Sequence, residues 1–245
     1  MFFVCDKRKI NSYLISIGTV LMLLSTAMFI GDTKNDTILT STASTDNYPI
    51  YKIDTKEEKV SISINCNKSA ENIDSILKSL DKMKTKATFY ITGEFAERYP
   101  DEVKKIIKSG NEVGSLGYHY ENLKKKSKEE IEEEIFKGKN SIEKVINKKI
   151  KTFRAPYGEC NTLIIEEAKK QNLTTIQWNL DSLDYNGLDS AEICERIDEG
   201  LIPGSIVLLH NDGKNTASSI EDIITIIKKR NYNICTVSEL IKLQK

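Results

Sequence analysis

Polar side chains with hydrolytic chemistry follow three apolar, β-like runs. Arg154 lies in Thr152-Phe153-Arg154-Ala155-Pro156-Tyr157-Gly158, where Pro-Tyr-Gly signals a turn just past it. A guanidinium there can orient a carboxylate or hold a substrate oxyanion; a surface ion pair is the plainer alternative. Asp181 and Asp184 lie in Trp178-Asn179-Leu180-Asp181-Ser182-Leu183-Asp184-Tyr185. Two carboxylates flanked by aromatic rings suit orienting a histidine or packing a sugar face. His210 ends Leu208-Leu209-His210, where an imidazole can protonate an amine leaving group or serve as a structural histidine. Cys66, at the end of an earlier run, and His119 are further candidates for a ligand, nucleophile or base.

These residues need a scaffold that gathers strand ends. The strand candidates are Val60–Asn65, Ala87–Thr92, Glu112–Leu116, Thr152–Pro156, Thr174–Asn179, Ser205–His210 and Asn233–Val237. Between them lie helical segments with start and stop signals. Ser127 and Glu130 form a capping-box pattern ahead of Ile131 and Ile135. Asp189 or Ser190 can cap the segment carrying Ile193 and Ile197, and Gly110 suits a left-handed helix end after Ser109. Such alternation implies a parallel sheet with helical cover. About seven units in so short a stretch predict a closed or nearly closed, deformed α/β barrel, with its chemistry at the strand C-termini.

Four segments carry a resemblance. Ala87-Thr88-Phe89-Tyr90-Ile91-Thr92-Gly93, Arg154-Ala155-Pro156-Tyr157-Gly158, Asp181-Ser182-Leu183-Asp184-Tyr185 and Leu208-Leu209-His210 resemble motifs of the polysaccharide deacetylases. These are the NodB-homology domains of carbohydrate esterase family four. Thr236-Val237-Ser238-Glu239-Leu240 resembles the family's closing strand and helix, so the likeness runs from about Lys59 to Leu240. It implies a deformed β/α barrel that removes acetyl groups from N-acetyl sugars, usually with zinc or a similar divalent metal. By the same likeness, Arg154 orients the catalytic base, Asp184 partners the histidine and His210 is the general acid. The Gly-x-x-Gly-Tyr form at Gly114–Tyr118 resembles a branch found in spore formers, which points to sporulation.

The departures are as informative. The family's first strand ends in Thr-Phe-Asp-Asp-Gly, with one Asp as base and the next as ligand; here it is Ser63-Ile64-Asn65-Cys66-Asn67. An amide cannot take up a proton at ordinary pH, so Asn65 is no general base. The family's His-x-x-x-His is replaced by Leu116 and Tyr120, with His119 out of register by one. No metal cofactor is therefore expected, since Cys66, Leu116 and Tyr120 fill the ligand positions. Three functions follow: a degenerate deacetylase that binds cell-envelope glycan through Tyr157, Trp178 and Tyr185; a hydrolase rebuilt around Cys66 and a histidine; or a tethered structural protein.

The N-terminus bears on destination. Lys7, Arg8 and Lys9 precede an uncharged run over 10–30. About 20 residues cross a bilayer, so the reading is a cytoplasmic basic tail (1–9), a single-pass signal anchor (10–30) and an extracytoplasmic remainder. A cleavable signal peptide is the alternative. The polar stretch over 31–58 reads as a flexible linker, and 59–245 as the deacetylase-like domain. Lys+Arg and Asp+Glu both number 36, and no basic stripe carries interleaved aromatics, so nucleic acid is not an expected partner. The five cysteines include no C-x-x-C pair, which excludes a zinc-ribbon arrangement.

Overall fold

In the computed structural model of the chain, the described residues are 48–244. The expected basic tail and membrane span fall outside them. Among the described residues no helix is long and apolar enough to cross a membrane.

The fold is organised around β1 (Lys59–Cys66), which is buried along nearly its whole length. Its sequence, KVSISINC, alternates with period two, so successive side chains face opposite sides of the sheet. Val60, Ile62, Ile64 and Cys66 join the large apolar cluster under the helices. Ser61, Ser63 and Asn65 face the other way, into the barrel. The strands β2 (Thr88–Ile91), β3 (Glu112–Ser115), β4 (Thr152–Phe153) and β5 (Thr174–Thr175) extend the sheet on one side. On the other side lie β7 (Ile206–His210) and β6 (Leu180–Asp181), giving the order β5-β4-β3-β2-β1-β7-β6, and β8 (Asn233–Ile234) pairs with the start of β1. Every strand pairing is parallel. A smaller inner cluster of Ile53, Tyr90, Leu116, Ile176, Ile206, Val237 and Leu240 fills the barrel.

Helical cover comes from α1 (Ile73–Lys82), α2 (Gly93–Arg98), α3 (Pro100–Lys108), α4 (Lys128–Ile146), α5 (Thr162–Lys170), α6 (Ser190–Gly200), α7 (Thr216–Lys229) and α8 (Val237–Ile241). The start signals act as anticipated. Ser127 and Glu130 close a reciprocal capping box on α4, and Asp189 and Glu192 do so on α6. Gly110 follows α3 with φ +79°, the left-handed geometry that ends a helix at low steric cost.

The sheet differs from the expected seven-strand barrel in two ways. Leu180–Asp181 is an additional strand, too short to show periodicity. The sheet is also not closed by strand pairing, since β5 and β6 are its free ends. A segment assigned by composition to the linker bridges the gap instead. Ile50 N–H donates to the Thr175 carbonyl (3.0 Å), and Gln177 N–H returns a bond to the Ile50 carbonyl (2.8 Å). Three residues on, Ile53 N–H donates to Gly204 O at 2.9 Å. Gly204 has φ +79°, and a Cβ there would lie 1.9 Å from the Ile53 carbonyl oxygen, so only glycine lets this strap lie flat. Ile53 is 1% exposed within the inner cluster. The ordered domain thus starts before residue 59, because two apolar residues in a polar stretch suffice to dock it.

That docking is measurable. Ile53→Ala should lower the free energy of unfolding by about 2–5 kcal/mol, the usual loss for a buried isoleucine, as read by urea denaturation. A change near zero would mean that residue 53 belongs to a flexible tether after all.

Candidate functional site

Arg154 places a fully buried cation in the barrel interior. Arg154, just after β4, is 0% exposed and packs its guanidinium over the Tyr90 ring at 4.0 Å, with the Trp178 ring at 5.3 Å. It donates from Nη1 to Asn65 Oδ1 (2.9 Å), and from Nη2 to Ser63 Oγ (2.9 Å) and the Gln177 carbonyl (3.1 Å). The Ser63 hydroxyl in turn donates to the Val207 carbonyl at 2.7 Å. Every acceptor is neutral, and no carboxylate among the described residues forms an ion pair with Arg154. Burial pushes the guanidinium down to about 10, so it stays charged at neutral pH. The surface ion pair considered as the plainer alternative is not what forms: the arginine is a buried residue of the barrel interior. Its neighbours Ser63, Gln177 and Tyr90 escaped sequence reading, although the Ser-x-Ser-x-Asn alternation in β1 was a usable sign of a polar inner face.

His210, at the end of β7, is held by Asp184. The carboxylate accepts the His210 backbone N–H on Oδ2 (2.7 Å) and pairs Oδ1 with Nδ1 (2.9 Å). Thr216 Oγ1, from the first turn of α7, donates a third bond to Oδ2 at 2.6 Å. Asp184 is fully buried, so this arrangement fixes the ring and leaves Nε2 as its free nitrogen. Thr216 is a supporting residue that no sequence motif marked. Asp181, the other carboxylate of the segment, accepts from Leu183 N–H (2.9 Å) and the Tyr185 hydroxyl (3.2 Å). Tyr185 in turn meets the His210 ring edge-on at 5.1 Å.

An open cleft of about 520 Å³ is lined by Tyr120, Tyr157, Trp178, Tyr185, Asp181 and His210, among others. The three aromatic residues anticipated for sugar contact therefore converge with the histidine on one surface. Tyr157 is 57% and Tyr185 52% exposed. Tyr157 also has φ +60°. A bulky side chain in the left-handed region costs about 1–2 kcal/mol, and such strain persists where the surroundings enforce it.

The other candidates separate from the cleft. Cys66 is 0% exposed, belongs to the outer cluster beneath the helices, and has its thiol pushed well up by burial. It is a core residue, and the nucleophile or ligand role considered for it is not supported. Leu116 is buried in the inner cluster and offers no donor atom. Tyr120 reaches the cleft, but burial raises its phenol above the ordinary value, so it stays protonated at neutral pH. His119 is bound elsewhere: Glu134 of α4 accepts its backbone N–H at 3.0 Å and pairs with Nδ1 at 2.6 Å. The cause is the loop after β3, which crosses α4 where a Cβ on Gly138 would lie 2.4 Å from the Gly117 backbone. The N–H groups of Gly93 and Glu94 bind the carbonyls of Gly117 and Tyr118 at 2.9 and 3.1 Å, pinning that crossing. Among the described residues no group of three or more His, Cys, Asp or Glu side chains could share an ion. A divalent metal needs several convergent N, O⁻ or S⁻ donors, and a core thiol, a leucine and a protonated phenol do not fit one.

Comparison with known proteins agrees with this geometry. An uncharacterised protein of Bacillus subtilis, YlxY, is 31% identical over 192 residues, covering 78% of this chain and 60% of its own length. The peptidoglycan-N-acetylglucosamine deacetylase PgdA of Listeria monocytogenes is 28% identical over 183 residues, covering 75% of this chain and 39% of its own. The chain thus spans about 60% and 39% of these two relatives. A crystal structure of a family-four carbohydrate esterase pseudoenzyme from Bacillus anthracis superposes with a TM-score of 0.78 at 28% identity, over 81% of this chain and 70% of that one. The polysaccharide deacetylase family model matches residues 52–176, just over half of the sequence. The chain belongs to the polysaccharide deacetylase family.

Proposed function

We propose that this protein is a membrane-tethered, extracytoplasmic glycan-binding member of the family that does not turn over acetyl groups. The observation that carries the proposal is the Arg154–Asn65 hydrogen bond inside the barrel. Where deacetylation needs a carboxylate to take a proton from water, this chain presents a neutral amide already committed to a buried guanidinium. His210, oriented by Asp184, keeps the geometry to protonate a leaving amine. General acid catalysis alone contributes about 10²–10⁴-fold, well short of a typical enzymatic acceleration. The site retains the leaving-group half of the reaction and lacks the half that makes a nucleophile.

Glycan binding is favoured by the cleft, where exposed Tyr157 and Tyr185 and half-buried Trp178 offer ring faces to sugar C–H surfaces. Relatives named for peptidoglycan N-acetylglucosamine and N-acetylmuramic acid deacetylation point to cell-wall peptidoglycan as the ligand. The basic flank and apolar run over 10–30 support a tether that directs the domain outward. A hydrolase built on Cys66 is disfavoured by that thiol's position in the core, and a purely structural role by the open cleft.

The full chain should release no acetate from N-acetylglucosamine oligomers or peptidoglycan, yet co-sediment with purified peptidoglycan. Acetate release that His210→Ala abolishes would refute the inactive reading. Failure to co-sediment would refute the binding reading. Repair should need several changes at once: Asn65→Asp, Cys66→Asp, Leu116→His and Tyr120→His together should retain zinc through dialysis and restore deacetylation, and no single change should. The fold has a precedent for such repair, since a mutant of the structurally similar pseudoenzyme is described as having restored activity.

A further inference from the structure

The barrel has two ends, and the cleft uses one of them. All the strand pairings are parallel, so every turn that leads from a helix into a strand emerges at the opposite end. Those turns are rich in lysine: Lys84 and Lys86 precede β2, Lys148 and Lys151 precede β4, and Lys228 and Lys229 lead into the turn before β8. We propose that this end is a docking face for an anionic phospholipid bilayer, which turns the cleft away from the membrane. The inference rests on the tether of the proposed function and adds to it the surface that orients the domain.

The basic turns form one surface. Lys228 Nζ donates to Met83 O at 2.7 Å and Lys86 Nζ to Ser109 O at 2.6 Å, so the turns before β2, β3 and β8 touch. A groove of about 280 Å³ lined by Gly110, Lys148 and Lys151 sets the turn before β4 alongside the turn before β3. Cations at helix C-termini complement the helix dipole and need no further partner. That account does not cover Lys84, Lys148 and Lys151, which lie beyond the helix ends, are exposed and form no ion pair among the described residues. Lys84 even holds φ +49°, a left-handed position that glycine or asparagine usually fills. Carboxylates at this end are engaged: Glu112 accepts from Thr88 and Ser238, Glu143 pairs with Lys149, and Asp198 pairs with Arg230. At the cleft end the signs are interleaved instead, with Lys68 beside Asp212, Lys124 beside Glu159 and Lys126 beside Glu121.

Two further observations point to lipid. The Ile50–Ile176 bridge runs parallel to β5, so the chain enters the domain at this same end. Tyr48, the first described residue, and Ile202, in the turn before β7, are exposed there. A phenol and an aliphatic side chain among lysines suit the headgroup boundary, where aromatic rings and long basic side chains settle together. The uncharged run over 10–30 has the length to hold the chain at that surface.

The full chain reconstituted into vesicles tests this. Flotation with phosphatidylcholine vesicles reads the tether. Lysine labelling by a membrane-impermeant acylating reagent, resolved by mass spectrometry, reads the face. Labelling of Lys84, Lys148, Lys151 and Lys229, relative to Lys68 and Lys125 on the cleft side, should fall about fivefold or more when an equal mixture of phosphatidylcholine and phosphatidylglycerol replaces phosphatidylcholine alone. High salt should restore it. Lys148→Glu combined with Lys151→Glu should restore labelling of Lys84 and Lys229 in the mixed vesicles. Unchanged relative labelling, or protection that neither high salt nor the substitutions relieve, overturns the docking face and leaves the tether standing. Flotation with the mixed vesicles alone overturns the tether and leaves the face standing. Flotation with neither overturns both.

Discussion

A buried guanidinium that forms no ion pair among the described residues sets the terms for this barrel. Removing one partner of a buried ion pair typically costs 3–5 kcal/mol, because the remaining charge stays desolvated. Arg154 is tolerated because the interior supplies three neutral acceptors and two aromatic faces. Those partners come from β1, from the segment after β5 and from β2, so the arginine fastens sheet elements far apart in sequence. The polar inner face of β1, the carbonyl direction at Gln177 and the placement of Tyr90 all follow from that need.

The same interaction separates what the fold needs at position 65 from what a general base would need there. Asn65 keeps the shape of the acceptor and the hydrogen bond but not the charge, so the scaffold survives while the proton acceptor is gone. One residue further on, the period-two alternation of β1 sends Cys66 to the outer layer, where a small apolar side chain packs well. His210 is unaffected by either change, because its support comes from Asp184 and Thr216 on the opposite flank of β1. Each half of the site stands on its own supports.

Much of this was legible from the chain. Strand ends and helix caps are local signals, and the Asp184–His210 contact joins two segments that the sequence marks separately. Other features were not legible, each for a physical reason. The strap over 50–53 is held by backbone hydrogen bonds and one isoleucine, which leave little trace in composition. The strand Leu180–Asp181 spans a single period of the strand alternation, too little to show a pattern. The attachment of His119 to Glu134 depends on a Gly117–Gly138 backbone crossing between segments that only folding brings together. The burial of Arg154 belongs with these, since a strand-end arginine reads the same whether it faces solvent or the core.

The central claim, that Arg154 is a buried charge missing its carboxylate, is tested most directly by giving one back. Thermal unfolding of Asn65→Asp and the parent should be compared from pH 3 to pH 8. A carboxylate beside the guanidinium has its folded-state pKa depressed below the unfolded value of about 3.9, so its stabilisation is present above that pH and lost as pH falls through the folded pKa. The account predicts that the variant is more stable by about 3 kcal/mol at pH 7, the lower end for a buried pair, and that the advantage declines below about pH 4. A variant that is less stable than the parent at pH 7, or whose difference does not change with pH, would contradict it.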